Sequence, residues 1–416
     1  MTTPPQTTRR RAAAGLVLAA AIVVPAAGCV HGRKLSEVRP STTTTITIPV
    51  DAEAVTASTV ERPTTLEGVG VRLEEVGALD DPVAIAARPG WPHLTVAERN
   101  GRLRQLSVNY RYDGDGQPAG ADYRVESWTM LDIGRQVDQG DGGGVRGVTY
   151  SSDGRRMYLS YISSDGAVVV DQYRTGEGDL DTSSRFQLLR VEAPDGLRRG
   201  GALAFGRDGF LYVGVGTPDG DPGAAQRPDS LYGKVLRLDP EGALGDQAYA
   251  VPPGNPYAAG GGAGEVWLLG VHDPRGVVFD RASADLYVTD RQDAGETIVY
   301  LPRQNSQAGR GDNLGYPGAQ NTAGAVVSIT PPGHCDLRQG AVYRGAAIPA
   351  LRGAYVFGEG CSGVVEGLVV ANRVAQDQRS LGAALPPGGL GGFGTDNDGE
   401  LWVFATSGQI YRVLPI

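Results

Sequence analysis

Asp208-Gly-Phe-Leu-Tyr-Val-Gly214 is the stretch that decides the fold, because variants of it recur along the chain. Each copy begins with a turn that carries Gly, Asp or Pro and continues into a short strand rich in Leu, Tyr, Val or Trp. Asp-Gly favours the positive φ angles of a tight hairpin, and alternating side chains give one face to each neighbouring sheet. The other five copies are Gly90–Glu98, Asp153–Tyr161, Ser283–Asp290, Gly353–Gly358 and Asp398–Phe404.

The spacing of the copies, roughly 45 to 75 residues, suits a four-stranded blade with variable loops. Six copies therefore predict an all-β chain that forms a six-bladed β-propeller over residues 68–416. A β-sandwich built from repeated hairpins is the alternative. A sandwich of this length would exceed the usual size, and no long helical period occurs, so a single propeller domain explains the pattern better.

The N-terminal segment has the layout of a secretory signal. Arg9, Arg10 and Arg11 precede an apolar run at about residues 15–26, which is too short for a membrane-spanning helix. Ala26-Ala27-Gly28-Cys29 resembles a bacterial lipobox, in which the Cys sulfur receives a diacylglycerol. We therefore expect a lipoprotein signal peptide over residues 1–28 and a membrane anchor on the outer face of the bacterial cytoplasmic membrane. A plain signal peptide and secretion are the alternative.

Residues 29–67 are rich in Thr, Ser and Pro, with charges between them. Such a segment cannot bury enough apolar surface to offset the entropy lost on ordering. The composition predicts a disordered linker, which would hold a lipid-anchored domain clear of the membrane.

Charge and cysteine content narrow the function classes. A net charge of −9 argues against nucleic-acid binding, which requires clustered Lys and Arg. Beyond Cys29, the remaining pair is Cys335 and Cys361, which an oxidising compartment would bridge by a disulfide. Two buried free thiols are the alternative. The four His residues are scattered and show no metal-ligand spacing.

Several motifs resemble the soluble glucose/sorbosone dehydrogenases that use pyrroloquinoline quinone (PQQ), and the related aldose sugar dehydrogenases. The resemblance extends from about Leu79 to Arg412, essentially the whole propeller. Its order and spacing along the chain make it specific, although each motif is short. The motifs are Leu203–Gly216, Asp229–Pro240, Asn313-Leu-Gly-Tyr-Pro317 and Gly358-Glu-Gly-Cys-Ser-Gly363.

The resemblance implies PQQ at the top of the propeller with a calcium ion on its oxygens. In the family, a His takes a proton from the sugar C1 hydroxyl while hydride moves to the quinone. That His precedes a Gly-Gly pair, and here Arg198 occupies its position in Arg198-Arg199-Gly200-Gly201. A guanidinium has no acceptor lone pair, so Arg198 cannot be the base. A carboxylate such as Asp195 or Asp219 could replace it if burial raised its pKa.

The family's Arg-Asn-Pro contact to the cofactor corresponds to His272-Asp273-Pro274. His272 in place of the family's Arg removes a permanent positive charge, and Asp273 in place of its Asn adds a negative charge. Arg275 offers a cation nearby. The remaining cofactor contacts implied by the resemblance are Arg199, Asn313 and Tyr316. The calcium loop corresponds to Asp290, Gln292 and Asp293, where backbone carbonyls could also act as ligands.

Two functions are compatible with these residues. The first is an extracytoplasmic oxidoreductase, a quinoprotein that oxidises an aldose with PQQ and calcium and passes the electrons to an external acceptor. The second is a catalytically inactive propeller lipoprotein that binds a glycan, an anionic ligand or another envelope protein. A small-molecule sugar or anionic ligand is the expected partner, and the site residues, not the fold, decide between the two functions.

Overall fold

The computed structural model describes residues 60–115, 118–176, 179–192, 199–303, 307–330 and 334–416. These residues form six four-stranded antiparallel sheets arranged as a ring, so the predicted six-bladed β-propeller is confirmed. The signal peptide, Cys29 and most of the predicted linker lie outside the described residues, as do Asp195 and Arg198. Within the described ranges, no helix has the length and apolar character needed to cross a membrane.

The strands follow one another blade by blade. The sixth blade receives β1 (Val71–Ala78) from the beginning of the domain. The first blade consists of β2 (Pro82–Ala87), β3 (Leu94–Glu98), β4 (Arg102–Tyr112) and β5 (Pro118–Asp132). The second consists of β6 (Gly144–Tyr150), β7 (Arg156–Ile162), β8 (Val168–Thr175) and β9 (Leu180–Val191). The third consists of β10 (Gly200–Phe205), β11 (Leu211–Val215), β12 (Lys234–Leu238) and β13 (Val266–Leu269).

The other three blades complete the ring, and two 3₁₀ turns lie in the connections at Pro222–Gln226 and Pro349–Leu351. The fourth blade consists of β14 (Asp273–Phe279), β15 (Leu286–Gln292), β16 (Gly295–Leu301) and β17 (Ala325–Ile329). The fifth consists of β18 (Leu337–Val342), β19 (Tyr355–Glu359), β20 (Val364–Ala371) and β21 (Val374–Ala384). The sixth consists of β22 (Leu390–Thr395), β23 (Leu401–Ala405), β24 (Gln409–Pro415) and β1.

The six sequence repeats are the second strands of the blades with the turns before them. β3, β11, β19 and β23 are buried along their whole length. Both faces of such a strand are covered because the neighbouring blades pack against the two sides of each sheet. The alternation read in the sequence therefore reflects two buried faces, not one buried and one solvated face.

The hydrophobic core is divided among the contacts between neighbouring blades. Six apolar clusters fill these contacts, one for each pair of adjacent blades. Trp267 and Trp402 are fully buried in two of them. Burying a large apolar side chain contributes about 1.5–3 kcal/mol. Because every pair of neighbouring blades has its own cluster, this stabilisation is distributed around the ring.

The innermost strand of every blade carries a β-bulge near its start. The register against the second strand shifts at Pro82/Ala84, Val145/Gly147, Gly200/Leu203, Pro274/Gly276, Arg338/Ala341 and Leu390/Gly392. A bulge redirects the side chain of the extra residue. Arg146 and Arg275 occupy such positions and line the central cavity.

Residues 60–70, here called the strap, cross the fourth and fifth blades before β1. Leu66 has no exposed surface, and its N–H donates to Asp377 at 2.7 Å. Arg62 bonds the Tyr300 hydroxyl at 2.8 Å and pairs with Asp285. The predicted disordered linker up to residue 67 was therefore too long at its end, because apolar burial and ion pairs fix the last residues.

Candidate functional site

An axial cavity of about 480 Å³ opens at the face where the six inner strands begin. These strands run in the same direction, so their first residues and the bulges near them collect around one mouth. Charged side chains are concentrated there, and the arginines exceed the acidic residues by one. The charged lining consists of Arg99, Arg146, Arg275, Arg291, Arg338, Asp81, Asp273, Glu296 and Asp336.

A chain of ion pairs joins the fourth and fifth blades at the mouth, and a hydrogen bond connects it to the third blade. Asp273 accepts the Gly200 N–H at 3.0 Å and pairs with Arg275 Nε at 3.0 Å. Arg275 also bonds Asp336 at 2.6 Å, and the second oxygen of Asp336 lies 2.5 Å from Arg338. Charge-assisted pairs of this kind fix the orientation of both partners. The cavity wall therefore presents guanidinium and carboxylate groups in alternation.

Arg146 also lines the cavity and requires a glycine on the next blade. Gly201 has φ of +91°, and a Cβ there would lie 2.6 Å from the Cβ of Arg146. Only glycine combines this backbone angle with such a close approach. Burial is the main reason that the pKa of Arg146 is lowered to about 10; Asp273 opposes this and Arg99 adds to it. Arg146 therefore remains a cation at neutral pH.

Asp290 supports the turn before β14 from beneath. Its fully buried carboxyl group accepts the N–H groups of His272 at 3.0 Å and Asp273 at 2.9 Å. Burial raises the pKa of Asp290 to about 7, although these hydrogen bonds act in the opposite direction. Asp290 thus positions the residues predicted to contact a cofactor, and its oxygens face the protein interior.

His272 is turned away from the axis. Its ring stacks on Tyr316 with 4.3 Å between centroids, and Nδ1 donates to the Arg291 carbonyl at 3.0 Å. Because a carbonyl only accepts, the proton sits on Nδ1 and Nε2 is an acceptor, 3.7 Å from Asp293. Burial, and then the charge of Arg199, lower the pKa of His272. The ring is therefore neutral at neutral pH and supplies no cation.

Arg199 and Asp219 pair with each other beside this ring. Arg199 bonds the Thr217 carbonyl at 3.1 Å and lies 2.6 Å from the Asp219 carboxylate. The Asp219 side chain is 79% exposed, so it lies in solvent and not in the buried position that we expected of a replacement base. The structure places Asp219 near the site as an ion-pair partner of Arg199.

Asn313 and Tyr316 belong to a loop that borders His272. Asn313 exchanges hydrogen bonds with Gln226 at 2.7 and 3.1 Å, and its Oδ1 also accepts the Gly315 N–H at 2.9 Å. The Tyr316 hydroxyl donates to Asp293 at 3.1 Å. The amide of Asn313 is therefore used to shape the loop, whereas Tyr316 packs on the ring of His272.

The three residues predicted to hold calcium do not share a coordination point. Gln292 donates to Asp290 at 3.1 Å, whereas Asp293 is 74% exposed and faces His272 and Tyr316. Within the described ranges, no group of three or more His, Cys, Asp or Glu side chains could hold a metal ion. These three side chains thus do not converge on one point, because the oxygens of Asp290 accept hydrogen bonds from His272, Asp273 and Gln292.

Several cavity residues were missed in the sequence. Asp81, Arg99, Asp336 and Arg338 take part in three of the five ion pairs among the described lining residues. A signal was available in the inner-strand repeat, in which a glycine follows the bulged position, as in Arg146-Gly and Arg275-Gly. Cys335, another lining residue, is joined to Cys361 with their Cα atoms 5.5 Å apart.

A family model described as Glucose / Sorbosone dehydrogenase matches residues 79–379, from just before β2 into β21. The chain belongs to the glucose/sorbosone dehydrogenase family. The match covers the first five blades, which include the cavity residues from Asp81 to Arg338. The resemblance seen in the sequence motifs is thereby confirmed.

Two kinds of relative share this domain. Aldose sugar dehydrogenase YliI of Escherichia coli (strain K12) is 27% identical over 249 residues, which is 58% of this chain and 59% of that protein. Hedgehog-interacting protein of Homo sapiens is 25% identical over 383 residues, 82% of this chain and 52% of that protein. The chain thus matches between half and three fifths of the length of these relatives.

Solved structures share the fold at lower identity. The PQQ-bound aldose sugar dehydrogenase of Streptomyces coelicolor has a TM-score of 0.61 and 19% identity, covering 83% of this chain and 98% of that one. The apo-form aldose sugar dehydrogenase of Escherichia coli has a TM-score of 0.62 and 21% identity, covering 83% and 100%. At this identity the likeness establishes the propeller architecture alone.

Proposed function

We propose that this protein is an extracytoplasmic member of the family whose axial cavity binds a small polyhydroxylated anion, such as a sugar acid. The observation that carries the proposal is the alternation of guanidinium and carboxylate groups around the mouth, from Asp273 through Arg275 and Asp336 to Arg338. Guanidinium groups bind a ligand carboxylate, and carboxylate groups accept from ligand hydroxyls.

The size and chemistry of the cavity support a ligand of this class. About 480 Å³ lies within the range of small-molecule sites. The charged lining, in which arginines exceed acidic residues by one, also suits an anion.

The described residues do not fit PQQ with calcium. Asp273 and Asp336 both pair with Arg275, so two carboxylates already occupy a guanidinium that a tricarboxylate would need. His272 is neutral and faces Tyr316 instead of the cavity. Binding without quinone chemistry agrees better with these contacts. The relative named for its interaction with Hedgehog, which matches 82% of the chain, shows that this domain also occurs in a protein named for binding.

Export and lipid anchoring are part of the proposal. The signal-like segment with Cys29 supports them, and so does the Cys335–Cys361 disulfide, because disulfides persist in oxidising compartments. Palmitate labelling of the wild-type chain and of Cys29→Ser in a bacterial host tests the anchor. Labelling that persists in Cys29→Ser would contradict it.

Isothermal titration of the full chain tests the binding function with gluconate, glucose, and PQQ with calcium. Gluconate should bind at least tenfold more tightly than glucose and weaken as salt is raised. Arg275→Gln should lower gluconate affinity at least tenfold, whereas Arg102→Gln, an exposed arginine outside the cavity, should not. Aldose-dependent dye reduction after addition of PQQ and calcium would establish oxidation instead, as in the enzymes the family is named for.

A further inference from the structure

A second cleft of about 810 Å³ lies between the first and sixth blades. Pro92 and Asn397 line it from the turns that join the first and second strands of their blades, so it opens at the face opposite the axial cavity. Outer-strand residues of the first blade, including Tyr110 and Tyr123, form one wall. The cleft shares no lining residue with the axial cavity.

Most of the polar wall is already fixed by internal contacts. Glu400 accepts the Tyr343 hydroxyl at 2.8 Å and two backbone N–H groups. Asp396 accepts two backbone N–H groups and the Trp402 indole N–H at 3.2 Å. Arg412 covers one face of Tyr123 with 4.3 Å to the ring centroid. These contacts make the wall rigid before any ligand arrives, which lowers the cost of binding.

Three groups in the cleft remain available. The Asp398 carboxylate is exposed and has no hydrogen bond or ion pair with another described residue. Tyr110 is 44% exposed and lines the same cleft as Asp398. Arg111 is 62% exposed and lies 3.5 Å from its partner Asp122, so its guanidinium can also exchange partners.

The charges of the lining cancel. Four arginines face four acidic residues, so the cleft has no field of one sign to attract a charged ligand. The eight residues are Arg111, Arg344, Arg352, Arg412, Glu74, Asp396, Asp398 and Glu400. An aromatic face next to a carboxylate and a guanidinium can contact the apolar C–H face of a sugar ring and pair with its hydroxyl groups.

We propose that this cleft binds a neutral oligosaccharide, with Tyr110 stacked on one ring and Asp398 and Arg111 bonded to its hydroxyl groups. Tyr112 follows two residues later on the same face of β4 and is 63% exposed, so the aromatic surface continues beyond the cleft. The cleft volume of about 810 Å³ lies near the upper end of the range for small-molecule sites, so it suits an oligosaccharide of several rings better than a single sugar.

Titration calorimetry of the full chain tests this cleft with neutral tetrasaccharides of α-1,4-glucose, β-1,4-glucose, mannose and galactose. At least one should bind, and excess gluconate should not displace it, which separates this site from the axial cavity. Tyr110→Ala and Asp398→Asn should each weaken binding at least tenfold. Tyr110→Phe should retain it, because the ring face is kept.

Trp128→Ala is the matched control, since Trp128 is 46% exposed and does not line the cleft. Melting temperatures of all variants should match the wild type, as expected for exposed positions. Absence of binding by all four tetrasaccharides, or unchanged binding by Tyr110→Ala, would overturn the proposal. Tight binding of tetra-arginine at Tyr110 and Asp398 in their place would also overturn it and would assign the cleft to a basic peptide.

Discussion

Asp290 holds the turn that directs Asp273 to the cavity and His272 toward Tyr316, and it does so without contacting solvent. A buried carboxyl group that accepts two backbone N–H groups fixes the backbone, whereas the side chains above it remain free to differ. The residue at position 273 can therefore set the charge of the cavity wall while Asp290 keeps the turn in place.

The raised pKa of Asp290 predicts a pH dependence of stability. The carboxyl pKa is about 7 in the folded protein and about 4 when unfolded, so its stabilising contribution is complete below pH 4 and is lost as pH rises through 7. The free energy of unfolding of the wild type should fall by on the order of 3 kcal/mol between pH 4 and pH 8 through this group, and Asp290→Asn should lack that fall. Urea unfolding at both pH values measures it.

Asp122→Asn is the control for this prediction, because the Asp122 side chain is 66% exposed. Its unfolding free energy should follow that of the wild type at each pH. If Asp290→Asn keeps the full pH dependence of the wild type, Asp290 does not titrate in this range.

At the level of elements, the inner-strand bulges shape the cavity, whereas the strap attaches the chain before β1 to the propeller. The bulges recur in all six blades and direct side chains such as Arg146 and Arg275 to the axis. The strap occurs once and joins the chain before β1 to the face opposite the cavity mouth. Arg344 and Arg352 contact Glu61 on that face at 2.7 and 3.1 Å.

The strap should contribute measurably to stability through Arg62. Arg62→Ala leaves Asp285, which is almost fully buried, without its cationic partner and removes a hydrogen bond to Tyr300. We expect the free energy of unfolding to fall by about 2 kcal/mol, measured by urea denaturation.

Arg72→Ala provides the comparison, since Arg72 is 55% exposed and lies 3.8 Å from Glu74. An exposed pair of this kind contributes less than about 0.5 kcal/mol. Equal losses in the two variants would show that the strap is not anchored by the Arg62–Asp285 pair.

For the whole molecule, ring closure depends on the two ends of the domain. β1 pairs with β24 and completes a blade whose other strands all come from the C-terminal end. Val71 and Val413 from these strands are buried in the same apolar cluster as Leu66 of the strap. Loss of either end would therefore open the ring at a hydrophobic contact.

Truncation should reveal this closure. Removing residues 1–59 should leave the melting temperature unchanged, because the strap and β1 remain. Removing residues 1–78 deletes both and should lower the melting temperature by more than about 10 °C or prevent folding. Differential scanning calorimetry of the two truncated chains checks it, and equal melting temperatures would show that β1 is dispensable.

Prediction from the sequence succeeded where the signal was local. The turn residues and the short apolar strands that follow them predicted the second strand of each of the six blades, and the number of blades followed from that count. Asp273 and Arg275 were also expected at the site, through the family motif. Asp336 and Arg338 were missed, because Asp336 meets Arg275 across 61 residues of chain and no local pattern marks that contact.

The sequence by itself determined the architecture and the family, since turn chemistry and strand periodicity repeat within each blade. Only the tertiary structure decided the character of the cavity. Ring closure brings residues from several blades to one axis and turns His272 toward Tyr316 instead of the cavity. The partners of a charged side chain depend on distances between blades, and those distances exist only once the ring has formed.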